Sequence, residues 1–185
     1  CVLFRLGGIW ADTDCVCLQP LRYPSGEVYA WEDEHQINNA ILGLPVGHEL
    51  AGWMADCCAR PNRFQPYDSW RTIWRKSQRR LRPGNGRDLV KWGEYGPAGF
   101  TAAARHLGYS DRALPSWHFY PVHYRQWRVV FAGNQPDLLR QFSGSSALHL
   151  WNEMMKREPS FDKNGRFPPS SLFEQLCARY IKNDR

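Results

Sequence analysis

The sequence predicts an α/β fold, and three observations carry that reading. Short apolar runs of strand character alternate along the chain with helix-length segments of 3.6-residue periodicity. The 185 residues are 43% hydrophobic and 23% charged, a globular mixture long enough to bury a core. No repeat or shift in composition marks a second domain, so residues 1–185 read as one domain. No apolar run approaches the ~18 residues needed to span a bilayer, and no signal peptide is recognisable.

Each element follows from local signals. Cys1 to Leu6 reads as the end of a helix. Gly7 to Leu21 reads as a turn, a strand and a loop at Pro20, with Cys15, Val16, Cys17 and Leu18 as the continuous apolar run of a buried strand. Val28 to Trp31 is a second strand, and Glu32 to His35 a polar loop. Ile37 to Leu44 reads as a short helix or a helix–strand junction. His48 to Arg60 is a helix closed by Pro61. Trp70 to Arg82 is another, ended by the breaker run Pro83-Gly84-Asn85-Gly86. Gly96-Pro97 opens a turn, and Ala98 to Leu107 is helical with Gly108 at its end. His118 to Tyr124 reads as extended, Ser146 to Leu150 as a strand and Trp151 to Arg157 as a helix. Ser171 and Glu174 form a capping box for a last helix through Ile181, with Leu172, Phe173, Leu176 and Tyr180 as its apolar stripe.

Charge is concentrated. The formal net charge is +6, but Arg60 to Lys91 holds ten Lys and Arg residues against two Asp, a net of +8, which leaves −2 for the rest. Within that segment, WRTIWRKSQRRLR places Trp70, Ile73, Trp74 and Leu81 at helical spacing among arginines. Such a helix suits an anionic membrane surface, a lipid-pyrophosphate or an acidic glycan. The alternative is a stripe of tryptophan packed on the core. No recognition motif for nucleic acid accompanies it, so none is expected as a partner. The six cysteines lack zinc or disulfide-framework spacing and read as free thiols.

The chemistry-bearing stretch is GGIWADTDCVCLQPL, Gly7 to Leu21. In a strand, residues two apart share a face, so Trp10, Asp12 and Asp14 are expected on one side. Two neighbouring carboxylates repel and are costly to desolvate. A hard divalent cation removes the conflict, and Mg²⁺ or Mn²⁺ keeps open positions for substrate phosphates. Two surface aspartates at a strand end are the plainer alternative. His149 lies on a short alternating strand with Ala147 and Trp151, and its imidazole suits Mn²⁺. A strand-end histidine bonded to backbone is the other reading.

Five segments in order resemble a known family. They are GGIWADTDCVCLQPL, WEDEHQINNAIL (Trp31–Leu42), WGEYGPAGFT (Trp92–Thr101), FYPVHYRQW (Phe119–Trp127) and ALHLWNE (Ala147–Glu153). Together they resemble the DxD-motif glycosyltransferases that include α1,4-galactosyltransferases, initiating mannosyltransferases and bacterial capsule-type polysaccharide enzymes. The resemblance implies a GT-A-type, Rossmann-like sandwich and a metal-dependent, retaining hexosyltransferase. It implies Mn²⁺ or Mg²⁺ as cofactor, a nucleotide-sugar donor (a UDP-sugar before a GDP-sugar) and a glycan or lipid-linked acceptor. Residue by residue, it implies metal ligation by Asp14, Asp12 and His149, and donor contacts by Asp12, Asn38, Asn39, Gly96 and Pro97. Glu94 is the carboxylate nearest the Gly96-Pro97 loop and is the expected catalytic side chain, orienting the acceptor or stabilising positive charge on the sugar. Trp10, Trp92 and Trp151 lie in these segments and stack on sugar or pack in the core.

The match begins late, since only Cys1 to Leu6 precede Gly7. The nucleoside-binding part of the fold is therefore expected to be missing, and weak nucleotide-sugar binding by the chain alone is expected. The location implied is cytoplasmic and membrane-associated in a bacterium, or the Golgi lumen in a eukaryote. Two other functions stand beside the transferase. One is a non-catalytic glycan- or membrane-binding remnant of such a domain. The other is a DxDxV-type phosphatase built on Asp12 and Asp14, which lacks a downstream acidic pair.

Overall fold

A computed structural model of the chain describes residues 1–91, 93–134 and 137–181. In chain order the elements are α1 (Val2–Leu6), β1 (Ile9–Ala11), β2 (Cys15–Cys17), β3 (Val28–Trp31), β4 (Ile37–Gly43), α2 (Glu49–Ala59) and α3 (Trp70–Arg80). Then follow α4 (Pro97–His106), α5 (Leu138–Gln141), β5 (Ala147–His149), α6 (Asn152–Lys156) and α7 (Leu172–Tyr180). The class is mixed α/β. The elements form two compact units: Cys1–Ala11 with Tyr23–Leu114, and Asp12–Arg22 with Pro115–Arg185.

The first unit is built on a three-stranded antiparallel sheet of order β1-β4-β3. Ile37 to Gly43 is its central strand, where the sequence reads from Ile37 to Leu44 as a short helix or a helix–strand junction. The cause is visible in the pairing. The register shifts between Val28 and Ala30 of β3, so β4 buries Ile37, Ala40 and Ile41, with Leu44 just beyond, at helix-like intervals. Gly43 lies between Ile9 and Val28, and a Cβ there would come 2.9 Å from Val28 Cβ.

Helix α4 covers this sheet as the sequence expects. Pro97 opens it, because the first turn needs no amide donor there. Gly108 follows its end at φ 76°, a left-handed position suited to glycine. Phe100, Ala103 and Ala104 join Tyr29, Ile37, Leu44, Leu50 and Ala51 in one core. Thr101 pins helix to strand: its Oγ1 accepts from Ile37 N at 2.9 Å and donates to Pro97 O at 2.7 Å. Helix α2 is capped by His48, whose Nδ1 accepts from Leu50 N at 3.2 Å.

Helix α3 departs from the core-packing alternative. Its tryptophan stripe is exposed, and its buried side chains are Lys76 and Arg79. Each is paired: Lys76 Nζ lies 2.7 Å from Asp68, and Arg79 makes a two-pronged contact with Glu94 at 2.7 and 3.0 Å. A buried charge is tolerated when paired and hydrogen-bonded, and here that condition sets which face turns inward.

The second unit holds the β2–β5 pair, antiparallel, with Cys15 opposite His149 and Cys17 opposite Ala147. His118 to Tyr124, read as extended, instead lies between two stretches of 3₁₀ turn, Ser116–His118 and Tyr124–Val130. Tyr120 N bonds Ser116 O at 2.7 Å, so the aromatic segment coils where the prolines punctuate it. Trp127, Phe131, Phe161, Phe167 and Phe173 form an aromatic cluster. Ser171 caps α7 by accepting from Glu174 N at 3.3 Å. Leu172 and Leu176 are buried, whereas Tyr180 is exposed and falls outside the expected stripe. Among the described residues both sheets are antiparallel, and the one parallel pairing is an isolated bridge between Ala30 and Leu114.

Candidate functional site

The site assembles in the second unit, where the chain passes from one sheet to the other. Strand β1 pairs with β4 and β2 with β5. The residues between them, Asp12 to Asp14, therefore form a turn closed by Cys15 N on Asp12 O at 3.1 Å. This corrects the expectation of two aspartates on one strand face: a strand that changes partners has to leave extended geometry.

Pairing of β2 with β5 places residues 135 positions apart side by side. His149 Nε2 lies 3.3 Å from Asp14 Oδ2. The same carboxylate oxygen accepts from Asn152 N at 2.9 Å, and Asp14 O accepts from Leu150 N at 2.8 Å. That delivery depends on Trp151, which sits in the left-handed region at φ 59°, ψ 46° and turns the chain from β5 into α6. Its indole Nε1 donates to Val122 O at 2.8 Å, and its ring centroid lies 4.2 Å from that of His149. Tyr120 meets the imidazole edge-on at 5.9 Å.

The electrostatics are set by this packing. Burial by itself would raise the Asp14 carboxyl; the hydrogen bond and charge of His149, with the Asn152 amide, overcome it and hold the group below its ordinary value. Burial, with the Asp14 and Asp12 charges, pushes the Cys15 thiol up to about 12, so it stays protonated. Among the described residues, Asp14, Cys15 and His149 are the trio whose ligand atoms all lie within 4.8 Å of one another. Asp12 is exposed on the same turn and stands outside that trio.

These residues fit a divalent cation. The donor set is one carboxylate and one imidazole, held by backbone on both sides. His149 is 8% exposed, and the ring nitrogen it turns to the carboxylate is Nε2, 3.3 Å from Asp14 Oδ2. A neutral thiol is a poor ligand for a hard ion, so Asp14 and His149 would hold it, with Asp12 on the adjoining turn.

The other expected site residues lie in the first unit. Asn38 is buried and its amide is occupied: Nδ2 donates to Glu32 at 2.6 Å, and Oδ1 accepts from Ala40 N at 2.7 Å. Its observed part is to hold β4. Asn39, one residue on, is half-buried and lines a cavity of about 370 Å³ with Leu42, Met54, Tyr95 and Phe100. Gly96 closes a turn by donating to Gly93 O at 3.0 Å, and Pro97 starts α4. Glu94 is engaged by Arg79. Burial would raise its carboxyl; the Arg79 hydrogen bonds and charge, with Arg75 nearby, more than offset this and hold it below its ordinary value. Trp10 is exposed, Trp151 is buried, and Trp92 lies outside the described residues. Sequence reasoning missed Asn152, whose contribution is a backbone amide, and Arg79, whose partner is 15 positions away.

Comparison with known proteins decides the family. The model of the alpha 1,4-glycosyltransferase conserved region matches residues 88–183, a little over half of the chain. The chain belongs to that family. Among its relatives is the lactosylceramide 4-alpha-galactosyltransferase of Gorilla gorilla gorilla, 29% identical over 180 residues, covering 97% of this chain and 49% of the relative. The Homo sapiens protein of that name is 28% identical over 180 residues, covering 97% and 45%. The Homo sapiens alpha-1,4-N-acetylglucosaminyltransferase is 26% identical over 182 residues, covering 98% and 49%. The chain thus spans about half the length of these relatives. No solved structure matches it. Family membership sets aside the phosphatase reading of Asp12 and Asp14. Among the described residues, no helix is long and apolar enough to cross a membrane.

Proposed function

We propose that the chain carries the metal- and donor-handling centre of a glycosyltransferase, which moves a sugar from a UDP-sugar to a glycan or lipid-linked acceptor with retention, forming an α-linkage. The observation that carries this is the 3.3 Å approach of His149 to Asp14 inside the DxD segment of a chain of this family. The names of the relatives make galactose and N-acetylglucosamine the first sugars to test. The GT-A-type reading of the fold rests on the same membership.

The roles follow from the geometry. Asp14 and His149 would hold a Mn²⁺ or Mg²⁺ ion, and the chemistry such an ion would supply when bound is positive charge against the departing diphosphate. Asn152 N and Leu150 N fix the Asp14 carboxylate and carbonyl, so the ligand does not have to reorganise as that charge develops. Asp12, exposed on the turn, contacts the donor. The pairing with Arg79 favours Glu94 as a positioning group for α3 over the expected part in orienting the acceptor or stabilising positive charge on the sugar.

The test is Asp14→Asn, measured twice. Mn²⁺ binding, read by loss of the free-ion electron paramagnetic resonance signal, should weaken at least ~10-fold. Transfer from UDP-galactose and UDP-N-acetylglucosamine, assayed in a polypeptide that also carries the nucleoside-binding part of the fold, should fall below detection while circular dichroism stays unchanged. Unaltered Mn²⁺ affinity together with unaltered turnover would refute the proposal.

A further inference from the structure

Helix α3 is built inside out. A helix of a globular protein ordinarily turns its apolar stripe to the core and its charges to water. In α3, Lys76 and Arg79 are 2% and 3% exposed, while Trp70 is 73% and Trp74 64% exposed. Ile73 and the capping Leu81 are exposed as well.

Several independent contacts hold this orientation. Lys76 pairs with Asp68 and also donates to Arg63 O at 3.0 Å, and Arg79 pairs with Glu94. Ser69 caps the helix start by accepting from Thr72 N at 3.3 Å. At the other end, Arg80 Nε donates to Asn62 O at 2.9 Å. The left-handed run Gly84-Asn85-Gly86 folds back so tightly that a Cβ on Gly86 would lie 3.0 Å from Arg79 O. The tryptophans are therefore presented to solvent by a braced helix.

At about 100° per residue, Trp70, Trp74 and Leu81 fall on one ridge opposite Lys76 and Arg79. By the same spacing Arg71 falls on its flank, Arg82 follows the helix in extended backbone, and no acidic residue occurs from Ser69 to Arg87. Indole rings favour the headgroup layer of a bilayer, and arginines close to the surface are drawn to anionic lipid. A nucleic-acid partner would satisfy the arginines but leave Ile73 and Leu81 without a contact of their own kind.

We propose that the Trp70–Trp74–Leu81 ridge of α3 docks the protein on an anionic lipid surface, with the indoles in the headgroup layer and Arg71 and Arg82 on lipid phosphates. The proposal stands apart from sugar transfer, because docking is read with neither donor nor metal present.

The test is co-sedimentation of the 185-residue chain with phosphatidylcholine vesicles, and with vesicles containing about one third phosphatidylglycerol. The chain should partition to the anionic vesicles only. Partition should fall ~10-fold or more for the Trp70→Ser/Trp74→Ser variant, and several-fold for Arg71→Gln/Arg82→Gln or at raised salt. Circular dichroism of both variants should match the parent, and brominated acyl chains should quench tryptophan fluorescence of the parent but not of the serine variant. Failure to bind anionic vesicles, or equal binding by the serine variant, overturns the proposal. So does a dimer in solution that the serine substitutions dissolve, since a second copy would then cover the ridge, or displacement of the chain from vesicles by duplex DNA.

Discussion

Trp151 shows how single residues make this site. A bulky side chain in the left-handed region costs about 1–3 kcal/mol of backbone strain, and surroundings have to hold it there. Here the indole is 7% exposed and bonded to Val122 O, and the turn it enforces brings Asn152 N to Asp14. Trp151→Phe keeps an aromatic ring but leaves a buried carbonyl without its donor. It should lower stability by about 1–3 kcal/mol in urea unfolding and loosen Mn²⁺ binding in parallel; unchanged unfolding would show that the indole bond does not hold the turn. The letters of the sequence name Asp14 and His149 as candidates, because the DxD and HLWN segments are read by side-chain type, and the fold brings the two side chains within 3.3 Å. They do not give the Asn152 amide or the φ of Trp151, because every residue has an amide and no letter encodes a dihedral. The turn at Asp12–Asp14 was hidden for a related reason: which sheet a strand joins is decided by partners far along the chain.

The same limit governs the elements. Helices α2, α4 and α7 are legible from caps and periodicity, and they lie within a residue or two of where the sequence puts them. Strand β4 is not, because its irregular pairing with β3 buries residues at intervals that imitate a helix. Helix α3 is legible as a helix but not in its orientation, since Asp68 and Glu94 reach Lys76 and Arg79 only in the fold. Glu94→Gln tests the Arg79 pair. It removes a charge from a buried partner and should cost about 3 kcal/mol. The sign of the pH dependence follows from the lowered Glu94 carboxyl. Its contribution is complete above the ordinary value of 4.5 and is lost as pH falls through the lower folded value. The parent should therefore lose stability on acidification below about pH 4.5 more steeply than Glu94→Gln, in thermal melts across that window. Parallel curves would mean that the pair contributes nothing to stability.

At the scale of the whole molecule, the segment that defines the family and the units that fold are different objects. Residues 88–183 match the family model, yet they take only part of each compact unit. In the first unit, Phe100, Ala103 and Ala104 of α4 are buried in a core with Tyr29, Ile37, Leu44 and Leu50, none of which lies in that segment. In the second, β5 pairs with β2, which belongs to the DxD segment more than 70 positions upstream of the match. Both contacts are long-range, so neither unit closes until distant parts of the chain have met. Cutting the chain at residue 88 would bare the apolar face of α4 and leave β5 with an unpaired edge, a combination that favours association over folding. The fragment 88–183 should therefore show no cooperative thermal transition and should aggregate at concentrations where the 185-residue chain stays monodisperse, as scanning calorimetry and light scattering would record. A cooperative transition from the fragment would mean that the family region folds by itself, and that Asp14 is added to a finished scaffold. Its absence would mean that pairing of the DxD segment with the HLWN strand is part of folding, so that the proposed metal ligation and the second unit's stability would arise from the same two strands.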